Sequence, residues 1–459
     1  MIKKVLFTAL LASAFSISGM SQDNSYAIDA ETGATQQEGK KEFDAKKYEK
    51  TSKTLERLAD AASRFHIGGY GEIAFSRNYY SDSGYRYTDY NKYKNSPSHG
   101  RFDIPHAVIN IGYDFGKGWT FGTEIEFEHG GTGSTYESEA DEGTEWEHEQ
   151  EKGGEVELEQ FWIQKSFAKW ANIRAGHIIV PVGLNNLQHE PLNFFTVYRP
   201  EGENTILPST WHQTGIDFWG RYKFVRYEVQ FLPGLSAENF TKDKWINKGR
   251  KALLEGEFAN KYAASLRLDF YPVEGLRVGL SGYIGQTIGN NAITQLTGVE
   301  TKYKGTLAIG CIDATFERWG IKFRGWSDWG HLSDAEEIML LSGRVDSQSP
   351  YHNTGYVSSR AFARGFQLGY NVFELIPCMK KKHQKLYPFV TYEHYNSYAE
   401  PVGNNKYPYE DRHRFAVGIN YMPLKQIVVK GEYSHRHFHE PYNQEPSINF
   451  CVAYQGWFL

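Results

Sequence analysis

The sequence predicts an all-β chain, a transmembrane antiparallel β-barrel of about 16 strands preceded by a short periplasmic helix. Three observations predict it. Short segments alternate apolar and polar residues along the chain. Their connections are tight turns and long hydrophilic loops in strict alternation, as a barrel needs when one end faces each side of a bilayer. The last segment runs to the end of the chain, with Ile448, Phe450, Val452, Tyr454 and Phe458 on one face. A final strand of that kind can pair with the first and remove both sheet edges.

The 459 residues are 40% hydrophobic and 15% aromatic, with a mean hydropathy of −0.57. No apolar run of about 18 residues follows the N-terminus, which excludes a helical membrane protein. The near balance of 50 basic and 55 acidic residues gives no bulk attraction to nucleic acid. Cys311, Cys378 and Cys451 lie far apart and odd in number, so isolated thiols are expected. No metal or cofactor is expected.

Residues 1–21 read as a signal peptide. Lys3 and Lys4 precede the apolar run Val5–Ile17, and small residues follow at Gly19 and Ser21. Residues 22–65 form a periplasmic leader, polar at first. Over about 42–64 it carries Leu55, Leu58 and Ala62 at helical spacing without Pro or Gly. The barrel then occupies 66–459. A cleaved signal and a barrel together place the protein in an outer membrane, among lipid and lipopolysaccharide.

The strands are expected at 66–79, 101–115, 118–129, 155–167, 171–180, 214–223, 225–232 and 262–271. They continue at 276–286, 306–317, 320–332, 359–375, 385–396, 412–422, 426–437 and 447–459. Period-two alternation sets Leu266, Leu268 and Phe270 against Ser265, Arg267 and Asp269, one set for lipid and one for water. Pro105 forces a bulge or kink in the second strand, since proline cannot donate to the ladder. Residues 249–260 leave room for more strand, so counts from 14 to 18 stay open.

A barrel of this size is too wide to fill with its own side chains and leaves an aqueous lumen. Inward positions are polar or small, with no dry core expected. Passive diffusion of small hydrophilic solutes and inorganic ions follows, with selectivity set by charge and the narrowest point. Parity sends Arg221, Arg267, Arg277, Lys322, Arg324, Arg414 and Lys430 inward, with Arg174 and Arg226 near strand ends. It also sends Glu124, Glu126, Glu128, Glu155, Glu157 and Glu159 inward on two adjacent strands. The third long connection, 181–213, holds Pro181, Pro191, Pro200 and Pro208 with Phe194, Phe195, Tyr198 and Trp211. So many large apolar groups suit a loop that folds inward as a constriction. Its polar members Glu190, Arg199, Glu201, Glu203 and His212 would then face the channel, with Trp211 as an anchor.

The tract Glu159-Gln160-Phe161-Trp162-Ile163, then Arg174-Ala175-Gly176-His177, Pro181-Val182-Gly183-Leu184 and Trp211 before Gly215-Ile216 resembles the phosphate-selective porin O/P family in its Bacteroidetes-type branch. Gly68-Gly69-Tyr70-Gly71-Glu72 is similar to that branch as well. The resemblance implies a 16-stranded homotrimeric porin with an inward-folded third loop and an arginine ladder selecting anions such as phosphate. The acidic pair of strands departs from that pattern: it either sets a transverse field against the basic wall or forms an acidic vestibule beside an anion ladder.

Two further clusters carry bland expectations. The acidic stretch 130–154 reads as a solvated external loop, with divalent cations as the sharper alternative. His435, His437 and His439 share one face at the top of a strand, where rim packing outweighs a metal site. No GxSxG, P-loop or HExxH motif supports an enzyme. A non-conducting surface adhesin or a barrel hydrolase is the alternative function.

Overall fold

The computed structural model describes residues 60, 63–140, 146–250, 258–290, 302–342, 357–403 and 406–458. The signal segment and leader lie outside them, as does the helix expected at 42–64 apart from Asp60, Ser63 and Arg64, which are helical.

The strands are β1 (Phe65–Asn78), β2 (His99–Asp103), β3 (His106–Gly116), β4 (Trp119–Ala140), β5 (Trp146–Ala168) and β6 (Ala171–Ile179). Next come β7 (His212–Tyr222), β8 (Val225–Pro233), β9 (Tyr262–Val273), β10 (Leu276–Gln286), β11 (Thr306–Arg318) and β12 (Ile321–Leu332). The last are β13 (Arg360–Tyr370), β14 (Lys385–Asn396), β15 (Asp411–Leu424), β16 (Ile427–His437) and β17 (Glu445–Trp457). Apart from β2 and β3, each pairs with its sequence neighbour, and β17 closes on β1 with Gly69 opposite Gly456 and Phe75 opposite Phe450. Both β2 and β3 pair with β1. They are one barrel strand interrupted at Ile104-Pro105, where the missing N–H breaks the ladder, so the barrel has sixteen strands.

Alternation sorts the faces as the sequence predicts. On β15, Phe415, Val417 and Ile419 are about half exposed on the outside, while Arg414, Ala416 and Asn420 are buried inside. β9 and β17 divide the same way: Arg267 against Leu266, Cys451 against Val452. Beside the short turns Phe115, Trp119, Trp170, Tyr222, Trp319 and Trp457 stand exposed, an aromatic girdle at one interface. The short turns use left-handed residues, Lys117, Lys223 and Trp319 among them, which match the twist of the flanking strands.

Three expectations need correction. The acidic stretch 130–154 is, over its described residues, not a loop: β4 to Ala140 and β5 from Trp146 run on as paired strands, with Glu137 opposite Glu149 and Glu139 opposite Glu147. The strand expected at 359–375 ends at Tyr370, where Asn371 caps a short 3-10 turn, Val372–Leu375. The interior also has a dry core. Near the long-loop end, Leu232, Ala263, Leu307 and Leu332 point inward and meet Ile206, Leu207, Trp211, Leu235, Phe240 and Trp245 from the loops. Alternation assigned each strand a wet face, yet those wet faces meet apolar loop residues that parity along strands does not describe.

Cys311 and Cys451 are buried, Cys378 is exposed and all three are unbridged.

Candidate functional site

The connection between β6 and β7 follows the inside of the barrel. It starts with a tight turn held by one carboxylate: Glu203 accepts from the backbone N–H of Leu184 (3.1 Å) and Asn186 (2.8 Å) and from Asn185 Nδ2 (3.2 Å). Gly183 sits at φ +81°, and a Cβ there would lie 2.3 Å from Glu203 Oε1. Only glycine admits both the dihedral and the approach. Burial pushes the Glu203 carboxyl up to about 7 despite these donors.

From there the far wall grips the loop backbone. Arg324 donates to Asn185 Oδ1 (2.9 Å), Gln188 Oε1 (2.6 Å) and the Asn193 carbonyl (3.0 Å). Lys322 Nζ reaches the Leu192 carbonyl at 2.9 Å. Lys430 Nζ donates to the carbonyls of Phe194 (3.1 Å) and Thr196 (2.8 Å), and Asn420 donates to that of Phe195 (3.0 Å). Gln367 accepts from Phe195 N–H, Glu432 from Val197 N–H and Glu393 from Gly202 N–H. Phe195 stacks on Phe389 (5.3 Å between centroids), in space that Gly369 leaves open.

The loop's other side meets β1, β4 and β5. Tyr198 Oη is 2.5 Å from Ser76 Oγ, and His189 packs edge-on against Tyr70. His189 Nε2 lies 4.0 Å from Glu124 and Arg199 Nη2 lies 3.7 Å from Glu126. Burial would lower His189, but the neighbouring carboxylates of Glu124, Glu190 and Glu159 lift it to about 9. His106 Nδ1 is 2.7 Å from Glu72, and Arg250 holds Glu157 at 2.5 Å with His212 Nε2 3.4 Å from the same carboxylate. Glu159, 1% exposed, projects from the bulge where Gln160 opposes Glu124 and Leu158 opposes Ile125. Glu128 pairs in register with Glu155, whose side chain lies outside the described residues. Glu72, Glu124, Glu126, Glu157 and Glu159 thus share one buried region with His106, His189, His212, Arg199 and Arg250.

The predicted loop residues divide into two groups. Trp211 anchors, fully buried against Tyr283, and Glu190 lines a cavity of about 410 Å³ together with Tyr70, Asn110, Lys322, Lys385 and Tyr387. Glu201 and Glu203 do not face a channel. Glu203 closes the turn, and Glu201 is clamped by Arg436 and Arg414. Burial would raise Glu201, yet those two guanidinium groups outweigh it and hold the carboxyl at about 2.

The basic residues also need correction. They point inward, but not as a ladder facing water. Arg267, Arg277, Asp269 and Asp313 form a closed ring of ion pairs: Arg267 to Asp269 at 2.8 Å and to Asp313 at 3.0 Å, Arg277 to Asp269 at 2.7 Å and to Asp313 at 2.6 Å. Arg174 pairs with Asp217 (2.5 Å) and Glu228 (2.9 Å), and Arg226 with Glu228 and Asp269. Arg414 pairs with Glu393 (3.0 Å) and Glu432 (3.3 Å). Arg221 lies exposed at the short-turn rim over the Tyr271 ring. Sequence reasoning missed Asp217, Glu228, Asp269, Asp313, Glu393 and Glu432 as partners. The signal was there, because strand register sets Arg174 opposite Asp217, Arg226 opposite Asp269 and Arg414 opposite Glu393.

Arg267 also donates to the Gly183 carbonyl (3.1 Å), so it ties the wall to the loop's first turn. Arg267→Ala leaves Asp313, wholly buried, with Arg277 alone. Removing one partner of a buried pair costs about 3–5 kcal/mol. The expected result is a clearly lower midpoint of heat-modifiable gel migration, with Arg267→Lys in between; an unchanged midpoint would show the ring to be energetically idle.

No known family profile matches the chain. An uncharacterized protein of Aquifex aeolicus (strain VF5) is 28% identical over 395 residues, covering 82% of this chain and 78% of its own length. Salmonella typhi OmpF in complex with daunomycin superimposes with a TM-score of 0.53 at 9% identity, over 85% of this chain and 97% of its own. The outer membrane channel DcaP of Acinetobacter baumannii matches with a TM-score of 0.49 at 10% identity, over 85% and 97%. At 9% identity the likeness to OmpF is one of fold: this chain has the barrel architecture of an outer-membrane porin.

Proposed function

We propose that the protein is an outer-membrane porin passing small hydrophilic solutes and ions by passive diffusion, with the loop 181–213 as its constriction. The observation that carries this reading is the loop itself. It crosses from β12–β16, which grip its backbone, to β1, β4 and β5, where its His189 and Arg199 meet carboxylates. The cavity beside Glu190 leaves wet volume between this loop and the short-turn end. The short turns then lie in the periplasm, and the long connections outside. The porin-type barrel also supports a homotrimer seated among outer-membrane lipids.

The family resemblance implies phosphate or other anions as preferred solutes. The charge pattern favours small cations instead. The wall arginines are spent on wall carboxylates, whereas Glu72, Glu124, Glu126, Glu157 and Glu159 outnumber Arg199, Arg250 and the protonated His189 beside them, so the field at the loop is negative. Planar-bilayer recordings of the purified full chain in asymmetric KCl test both halves. Ohmic steps with a reversal potential on the potassium side are expected. A silent, folded barrel would overturn the porin reading, and a chloride-side potential would return the preference to anions.

The His189 contact adds a pH test. Its conjugate acid is stabilised in the fold, so its attraction to Glu124 is complete below the ordinary value of 6.5 and is lost as pH rises through about 9. Current noise should therefore grow above pH 9 as this side of the loop loosens. His189→Gln should be noisy at all pH values; a pH step that survives in that variant would assign it elsewhere.

A further inference from the structure

At the long-loop end of the barrel, the outer face of three adjacent strands carries a row of histidines. Strand register sets His394 of β14 opposite His413 of β15, and His413 opposite His437 of β16. Asp411 stands two residues before His413 and shares its face. That face continues down the strand as Phe415, Val417 and Ile419, so the row faces outward above the lipid-facing band. The chain leaves β16 and places the His439 ring 6.1 Å from that of His413 and 6.0 Å from that of His437.

The donor atoms already converge. His394 Nε2 donates to Asp411 Oδ1 at 2.8 Å, and ligand atoms of His394, Asp411 and His413 all lie within 4.8 Å of one another. The rings of His394 and His413 stack at 4.0 Å. Tyr392 Oη lies 2.9 Å from His413 Nδ1, an outer hydrogen bond that orients the ring and leaves Nε2 available. Two ligands at i and i+2 on one strand, plus a third directly across on its neighbour, can meet a single ion because all three side chains leave the same face of the pleat.

We propose that His394, Asp411 and His413 form a surface site for a divalent transition-metal ion of the zinc type, with His439 within reach as a fourth ligand. The ion takes the position of the proton that His394 Nε2 now shares with Asp411. Two imidazoles and one carboxylate suit zinc, nickel or copper, whereas calcium and magnesium require oxygen donors. Arg364 opposes loading: its Nη2 lies 2.7 Å from His394 Nδ1, a fixed positive charge beside the ion. Its side chain is exposed and can turn away into solvent.

Calorimetric titration of untagged, chelator-stripped full-length protein in detergent with zinc chloride tests the site. One ion per chain at micromolar affinity is expected. His394→Ala and His413→Ala should each weaken binding at least tenfold while heat-modifiable migration stays intact, and Arg364→Ala should tighten it. Cobalt substitution should give visible bands typical of nitrogen ligation, absent in His413→Ala. Absence of binding overturns the proposal, as does undiminished binding by the two histidine variants or displacement of zinc by equimolar calcium.

Discussion

The double substitution Lys430→Met with Asn420→Ala is expected to raise single-channel conductance several-fold and to make it noisy. These two side chains satisfy three consecutive loop carbonyls, of Phe194, Phe195 and Thr196, all in buried residues. An unsatisfied buried acceptor costs about 1–3 kcal/mol, so three in a row outweigh the remaining grip of Gln367 and Glu432 on the Phe195 and Val197 N–H groups. The segment should then leave the wall and admit water behind it. Neither substitution touches the ion-pair ring around Arg267, so the barrel keeps its thermal midpoint. Limited proteolysis reports on release independently, by new cleavage near Phe194. Cleavage without any change in conductance would show that this loop is not the narrowest point.

The closed barrel was legible because membrane solvation imposes period two on every strand, and His66–Asn78 or Arg414–Asn420 cannot satisfy it any other way. Pro105 announced its own break. The interior was less legible. Parity names which side chains enter the lumen and is silent about what they meet there. Arg324 and Lys430 alternate like pore-lining cations, yet both are buried against loop carbonyls, a contact separated by more than 130 residues of sequence. Cross-strand register would have recovered the Arg174–Asp217 and Arg414–Glu393 pairs, because the inward and outward alternation of both strands restricts which residues can stand opposite. Register along the barrel would likewise have joined His437 to His413 and His394, three histidines from separate sequence segments. The Glu203 clamp on Asn185 and Asn186 needed the loop's tertiary path, which the spacing of its four prolines does not encode.

Converting Glu124, Glu126 and Glu159 together to glutamine should move the reversal potential from the potassium side toward zero or into the chloride range. Glutamine keeps the shape and hydrogen-bonding reach of glutamate and removes the charge, so packing around Tyr70 and His189 changes little. The loop's His189 and Arg199 then lose the carboxylates they face at 4.0 and 3.7 Å, and the local sum of charge reverses. Charges this deeply buried are weakly screened by salt, so the shift should persist at high KCl, where a potential set by exposed rim residues would collapse. Arg221→Gln serves as the comparison: that guanidinium is exposed at the short-turn rim, and its removal should affect the current only at low salt. If the triple variant keeps the parent's reversal potential at both salt concentrations, ions take a path away from β4 and β5. The selectivity would then belong to the vestibule around Glu190, Lys322 and Lys385, where Lys385→Gln would become the decisive substitution.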